Sequence, residues 1–288
     1  QEYLWDYAEA ARGYQRGFDL LADDQPVEAA QARYGLGCLA LQRGALAEAE
    51  AHLAAALGPA EAAGNRWLAA AVLNTQAQVA ERQGRYAEAR RCCEQGLNLR
   101  RGLGDGLGLS ASLNYLGLIL TKLGVYAEAM PALDEAWQLA TDLNYRIGLA
   151  NVLTNRANAA YYLGDRALAE RSTRASLEVC RDIGDAWGEA IALNNLGYMA
   201  MEDGAFAQAR TLYGESLAIY RRTGIQSGLA STLANLGLAC LDAGALTEAP
   251  VYLREALERA HAGGARPVAL KALLGWARWL AHTGQPAP

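Results

Sequence analysis

The sequence has only 5 cysteines in 288 residues, and no two of them form a C-x-x-C pair. An odd number of scattered cysteines without nearby histidines argues against a disulfide framework and against a zinc site. No run approaches the ~18 apolar residues that a membrane-spanning helix requires. The N-terminal segment also lacks the basic start and apolar core of a signal peptide. We therefore expect a cytoplasmic protein with no metal and no membrane partner.

Lysine is scarce, since Lys122 and Lys271 are the only two, and the formal net charge is -5. Without a basic run, direct binding of nucleic acid is not expected. With 52% hydrophobic residues, the chain is also too apolar to be disordered. The use of arginine in place of lysine, together with abundant alanine and glycine, favours a bacterial source.

Catalytic motifs are missing from the sequence. There is no G-x-x-x-x-G-K-[ST], no H-E-x-x-H and no G-x-S-x-G, and the three histidines lie far apart. We therefore expect no enzymatic activity, no catalytic residue and no cofactor.

Glycine recurs every forty residues in two columns that lie twenty residues apart. The first column holds Gly44, Gly84, Gly124, Gly164, Gly204, Gly244 and Gly284, and the second holds Gly64, Gly104, Asn144, Gly184, Gly224 and Gly264. After glycine, asparagine best tolerates the left-handed backbone that ends many helices. Both columns therefore predict helix ends, and each forty-residue unit is predicted to be two antiparallel helices.

Small residues recur at the same period inside the predicted helices. The first helix of each unit carries Gly37, Ala77, Gly117, Ala157, Gly197, Gly237 and Ala277 in one column. The second helix carries Ala49, Ala89, Ala129, Ala169, Ala209 and Ala249. Small residues at fixed positions let two helix backbones approach closely, so these columns predict where the two helices pack.

The segments NYLGLILTKLGVYAEA (114–129) and NNLGYMAMEDGAFAQA (194–209) share the pattern N-x-x-G-x₆-G-x-[YF]-x-x-A. This pattern resembles the tetratricopeptide repeat, over nearly the whole chain but with forty residues a unit. The resemblance implies an all-α fold, a right-handed α-solenoid of antiparallel helix pairs. The forty-residue form is similar to the sensor arrays of bacterial STAND-type transcription activators and to the arrays of spindle-orientation adaptors.

We expect three parts in the chain. Residues 1–25 form an orphan or capping helix of a partial repeat, 26–265 form six helix hairpins, and 266–288 form a C-terminal capping helix and tail. The orphan start favours a piece excised from a longer protein, and the alternative is a genuine cap of a complete one. An incomplete terminal repeat leaves an apolar stacking face, which favours self-association through the terminal helices.

Asparagine is concentrated in the first helices, although it costs a helix interior roughly 0.5 kcal/mol relative to alanine. In arrays of this family the first helices line a concave groove, and a carboxamide both donates and accepts hydrogen bonds, as a peptide backbone does. The alternative is that some asparagines bond the neighbouring turn and hold adjacent repeats in register. The predicted partner-binding residues are Asn74, Gln78, Asn114, Tyr115, Asn151, Asn155, Asn158, Tyr162, Asn194, Asn195, Tyr198 and Asn235.

Two functions remain open from the sequence. The first is a non-enzymatic scaffold that binds a protein or peptide segment in the concave groove. The second is a sensor or regulatory module of a larger bacterial transcription regulator, with an inducer or a partner domain in the groove. Both rest on analogy of fold, because fold alone does not specify a ligand.

Overall fold

A computed structural model describes residues 2–21 and 25–284 of the chain. These residues form helices and no strand, which confirms the expected all-α fold of helix pairs. The helices are α1 (Glu2–Leu21), α2 (Pro26–Gln42), α3 (Leu46–Ala62), α4 (Arg66–Arg82), α5 (Tyr86–Arg100), α6 (Gly106–Lys122), α7 (Tyr126–Asp142), α8 (Arg146–Leu163), α9 (Arg166–Ile183), α10 (Ala186–Glu202), α11 (Phe206–Thr223), α12 (Leu229–Asp242), α13 (Ala249–Ala262) and α14 (Arg266–Thr283).

The two glycine columns lie at the helix ends, as the sequence predicted. Every glycine in both columns has a positive φ, from +64° to +84°. Asn144 occupies the one column position without glycine, and its φ is +50°. It is the only residue other than glycine with a positive φ in the described part of the chain. The left-handed turn therefore explains why glycine or asparagine is needed there.

Short polar side chains cap several of the helix starts. Asn65 and Asp105 each accept a hydrogen bond from the backbone N–H three residues later, at 3.0 and 2.9 Å. Asp165 and Asp185 do the same at 2.9 and 3.0 Å. Each cap satisfies one of the N–H groups that a helix start leaves without a partner.

Within a pair, the two helices meet where the sequence places its small residues. A Cβ atom added to Gly237 would lie 2.7 Å from Leu253 Cγ of the following helix. A Cβ added to Gly197 would lie 2.8 Å from the Tyr213 ring. Each glycine thus leaves the space that a bulky side chain fills, which holds the two helices close together.

The chain divides into two compact units. One unit runs to Gly148 and includes Asn158–Leu163, and the other takes Leu149–Ala157 and continues from Gly164. Within each unit, a first helix makes its most extensive contact with the second helix that follows it. The core of each unit consists mainly of buried alanine and leucine side chains on the facing sides of these pairs.

Candidate functional site

In the first unit, the predicted asparagines lie on first helices at the boundary between core and surface. Asn74 and Asn114 are both half-buried, on α4 and α6. Asn74 Nδ2 donates to Ser112 Oγ at 2.5 Å, which links α4 to α6. Asn74 is therefore engaged in a contact between successive first helices.

Gln78 and Tyr115 also lie half-buried on these two first helices. Burial, and to a smaller degree the nearby Glu81 carboxylate, raises the pKa of the Tyr115 phenol. The phenol therefore stays protonated at physiological pH. It keeps a hydroxyl that can both donate and accept a hydrogen bond.

Two basic residues fix the ends of the same helices. Arg82 Nη1 donates to the backbone carbonyl of Leu41 at 2.8 Å, from α4 to α2. Lys122 Nζ lies 3.1 Å from Glu81 Oε1, from α6 to α4. These contacts connect successive first helices in the first unit.

Tyr162 gives the first unit an exposed aromatic surface. Its ring stacks on the ring of Tyr126, with centroids 5.1 Å apart and planes 14° from parallel. Tyr161 meets Tyr162 edge-on at 5.4 Å, and Tyr162 remains 59% exposed. Asn158, on the same helix α8, is half-buried. Stacked rings with one open face suit a planar or aromatic group of a ligand.

In the second unit, two of the predicted asparagines connect helices. Asn194 Oδ1 accepts hydrogen bonds from Asn235 Nδ2 at 3.0 Å and from Thr232 Oγ1 at 3.3 Å. Asn235 Oδ1 in turn accepts from Lys271 Nζ on α14. Asn235 is 6% exposed. Asn194 and Asn235 therefore hold α10, α12 and α14 together, and little of Asn235 remains exposed.

The other predicted residues of the second unit lie at its surface. Asn151 and Tyr198 are exposed, and Asn155 and Asn195 are half-buried. Asn155 and Asn195 occupy the same position of α8 and α10, since they lie one repeat apart. The structure thus brings Asn151, Asn155, Asn195 and Tyr198 onto surface positions of two successive first helices.

The sequence prediction missed the partners of these asparagines. Ser112 and Thr232 occupy the same repeat position, and each bonds to an asparagine of the preceding first helix. Ser112 accepts from Asn74, and Thr232 donates to Asn194. The available signal was a serine or threonine at a helix position that holds valine or alanine in the other repeats. The sequence offered no reason to pair Lys271 with Asn235, beyond the scarcity of lysine. Burial lowers the pKa of the Lys271 ammonium.

A cavity of about 390 Å³ opens in the first unit and is lined by residues of α3, α4 and α5. Leu57, Leu73 and Val79 contribute apolar surface to the cavity, and Arg85 is one of the charged residues that line it. Arg85 pairs with Glu50 at 2.9 Å and with Glu88 at 2.6 Å. No residue of this cavity was predicted as a site.

Two further properties bear on function. No group of three histidine, cysteine or acidic side chains among residues 2–21 and 25–284 is arranged to hold a metal ion. In the same ranges, no helix is both long and apolar enough to cross a membrane.

Comparisons with known proteins identify the repeat. The family model described as tetratricopeptide repeat matches residues 68–142 and 188–262. No curated protein matches the sequence.

Solved structures resemble this fold over most of the chain. The Rap protein complexed with competence and sporulation factor is 15% identical, with a TM-score of 0.64 over 89% of this chain and 74% of that one. The apo form of the quorum sensor NprR from B. thuringiensis is 12% identical, with a TM-score of 0.68 over 93% and 80%. A STAND protein with a tetratricopeptide repeat sensor from Pyrococcus horikoshii is 16% identical, with a TM-score of 0.68 over 93% of this chain and 42% of that one. At such identities the likeness concerns the fold.

Proposed function

The chain belongs to the tetratricopeptide repeat family, and from this premise we propose that it is a non-enzymatic scaffold that binds an extended protein or peptide segment. The observation that carries the proposal is the surface of Asn151, Asn155, Asn195 and Tyr198 in the second unit. Carboxamides at equivalent positions of two successive helices suit a ligand whose donors and acceptors repeat along its backbone.

The position of the asparagines supports a ligand role for some of them and a structural role for others. The side chains of Asn194 and Asn235 form hydrogen bonds between neighbouring first helices. Asn155 and Asn195 occupy equivalent positions of α8 and α10 and are half-buried, and we propose that these two carboxamides also contact the ligand. In the first unit, Gln78, Tyr115, Asn158 and the exposed Tyr162 are proposed to contact a ligand in a similar way, with Tyr162 contributing stacking area.

A library of random linear peptides displayed on phage tests the proposal, with the full chain as the target. Peptides that are enriched are then measured by calorimetry against the double variant Asn155→Ala/Asn195→Ala. Loss of two or more hydrogen bonds should weaken binding by roughly tenfold to a hundredfold. The helical circular dichroism signal should be unchanged, because neither side chain is part of the buried core.

Asn98→Ala is the matched control, since Asn98 is exposed on the second helix α5. This variant should bind every enriched peptide as the original chain does. Failure to enrich any peptide would count against peptide binding. Unchanged affinity in the double variant would remove Asn155 and Asn195 from the mechanism.

A second candidate function is a sensor module of a larger bacterial transcription regulator. It is favoured by the likeness to the NprR quorum sensor and to the repeat sensor of a STAND protein. In this function an inducer or a partner domain would contact the same asparagine surface and change the packing of the repeats. The test is the reading frame in the source genome. A nucleotide-binding or DNA-binding domain in the same frame would support the sensor function, and a frame that encodes neither would contradict it.

A further inference from the structure

The cavity of about 390 Å³ in the first unit is bordered by three consecutive helices, α3, α4 and α5. Glu50, Ala54 and Leu57 lie at i, i+4 and i+7 of α3, so a single face of that helix borders the cavity. Small-molecule sites in proteins have volumes of about 300–1,000 Å³. The cavity is therefore large enough to hold a small organic molecule.

A smaller cavity occupies the equivalent place in the second unit. It has a volume of about 130 Å³ and is lined by residues of α9, α10 and α11. Ala54, Gln76 and Cys92 line the larger cavity, and the residues at the same repeat positions in the smaller one are Arg174, Leu196 and Leu212. Arginine and leucine are larger than alanine and cysteine. The first unit therefore has room where the second unit has side chains.

Gln76 places a polar group at a position that is apolar in most repeats. The equivalent residues Leu36, Leu196 and Leu236 are each at most 7% exposed. Gln76 is half-buried, and no group in the described part of the chain forms a hydrogen bond with its carboxamide. Removing an amide from water without a new partner costs free energy. A ligand with an amide group would satisfy both the donor and the acceptor of Gln76.

The charges that line the cavity leave one arginine side chain available. Arg85 pairs with Glu50 at 2.9 Å and with Glu88 at 2.6 Å, so its charge is compensated. Arg91 also lines the cavity and is exposed, and within the described residues its guanidinium has no hydrogen bond or ion pair. A guanidinium binds a carboxylate through two parallel hydrogen bonds. The two glutamates disfavour a doubly charged group such as a phosphate, so a singly charged carboxylate fits this site better.

We propose that this cavity binds a small aliphatic carboxylic acid that carries an amide group. The carboxylate of the ligand pairs with Arg91, its amide bonds to the carboxamide of Gln76, and its hydrocarbon chain packs on Leu57 and Leu73. An N-acyl amino acid combines these three groups. The site belongs to the first unit and does not depend on the asparagine surface proposed to bind a peptide in the second unit.

Calorimetry of the full chain with N-octanoylglycine tests the proposal. Binding should be saturable with one site per chain. N-octanoylglycinamide, which has the same size and no charge, should bind about tenfold more weakly, because it loses the charged hydrogen bonds to Arg91. Arg91→Gln should bind the two probes with equal affinity. Octylamine, which carries the opposite charge, should show no binding.

Two further variants test the place of binding. Ala54→Arg introduces the arginine found at position 174, which pairs with Glu170 at 2.5 Å in the second unit, and it should abolish binding by filling the cavity. Ala55→Arg is the matched control, since Ala55 is exposed on α3 and does not line the cavity, and it should bind N-octanoylglycine as the original chain does. Circular dichroism checks that both variants fold.

Gln76→Leu tests the polar contact without a loss of stability, because leucine is the residue at this position in most repeats. This variant should unfold at a temperature no lower than the original chain, and it should bind N-octanoylglycine about tenfold more weakly. The absence of saturable binding to the original chain would overturn the proposal. Unchanged affinity in Ala54→Arg, or octylamine binding as tightly as N-octanoylglycine, would also overturn it.

Discussion

Asn194 Oδ1 accepts a hydrogen bond from Asn235 Nδ2 at 3.0 Å, and this bond joins α10 to α12. The carbonyl oxygen of Asn235 then accepts from the ammonium of Lys271. Three side chains from three successive first helices thus form one chain of hydrogen bonds. These hydrogen bonds link neighbouring repeats. The stability of a repeat protein depends in large part on such contacts between adjacent repeats.

Asn235→Ala should therefore destabilise the protein rather than affect ligand binding. The change leaves the Lys271 ammonium half-buried without its acceptor and removes one donor from Asn194. We expect a loss of about 1–3 kcal/mol in the free energy of unfolding, measured by urea denaturation. Asn195→Ala is the comparison, and it should change stability by less than about 1 kcal/mol. Equal losses in the two variants would contradict the distinction between a buried connector and a surface residue.

The sequence predicted the fold well because the determinants of the fold are local. The end of a helix at Gly124 or Asn144 can be predicted from the residue type alone, because the left-handed conformation there concerns only that residue's own backbone. The small residues that mark helix contacts repeat at the same period, so their pairing followed from spacing alone.

The site was harder to predict because burial depends on neighbours that are far apart in sequence. Asn195 and Asn235 occupy the same position of successive first helices, and the repeat pattern treats them alike. They differ because Lys271 and Asn194 bond to Asn235 and cover it. Repeat spacing does not contain this difference, which appears only when the side chains of adjacent helices are compared.

The pairing of small and large residues between helices predicts a compensating pair of substitutions. Gly117 packs on Leu133 with no room for a Cβ atom, whereas Ala157 stands in the same column with the smaller Thr173 at the equivalent second-helix position. Gly117→Ala should destabilise the protein by about 1–2 kcal/mol through overpacking, despite the better helix propensity of alanine. Gly117→Ala should cost less stability in a Leu133→Thr chain than in the original chain, because threonine leaves room for the added Cβ atom, as measured by thermal unfolding. A double variant less stable than the sum of the two single changes would contradict the pairing.

At position 144, replacing asparagine by glycine should preserve the stability of the protein, and replacing it by alanine should lower that stability. Its φ of +50° is a left-handed conformation in which an ordinary side chain costs about 1–2 kcal/mol. Asn144→Ala should lower the free energy of unfolding by about 1 kcal/mol, while Asn144→Gly should be neutral or slightly stabilising. Denaturant unfolding of the two variants measures both effects. Equal stability of the two variants would show that the turn does not depend on the left-handed conformation.

The half-buried ammonium of Lys271 predicts how stability changes with pH. Burial lowers the pKa of Lys271 below its usual value in the folded protein, so above the folded pKa the unfolded chain binds more protons there than the folded chain does. Stability attributable to this group therefore rises as the pH increases through the folded pKa, up to about 10.4, the ordinary lysine value.

The comparison of the original chain with Lys271→Met isolates this contribution, because methionine does not titrate and has a similar length. The free energy of unfolding is measured in urea at several pH values from neutral to about 10, and the original chain should gain stability relative to the variant as the pH rises. Lys271→Arg is a second control, since a guanidinium keeps its charge throughout this range and should show no such gain. A difference between the original chain and Lys271→Met that stays constant or falls with increasing pH would show that the ammonium of Lys271 carries no burial cost.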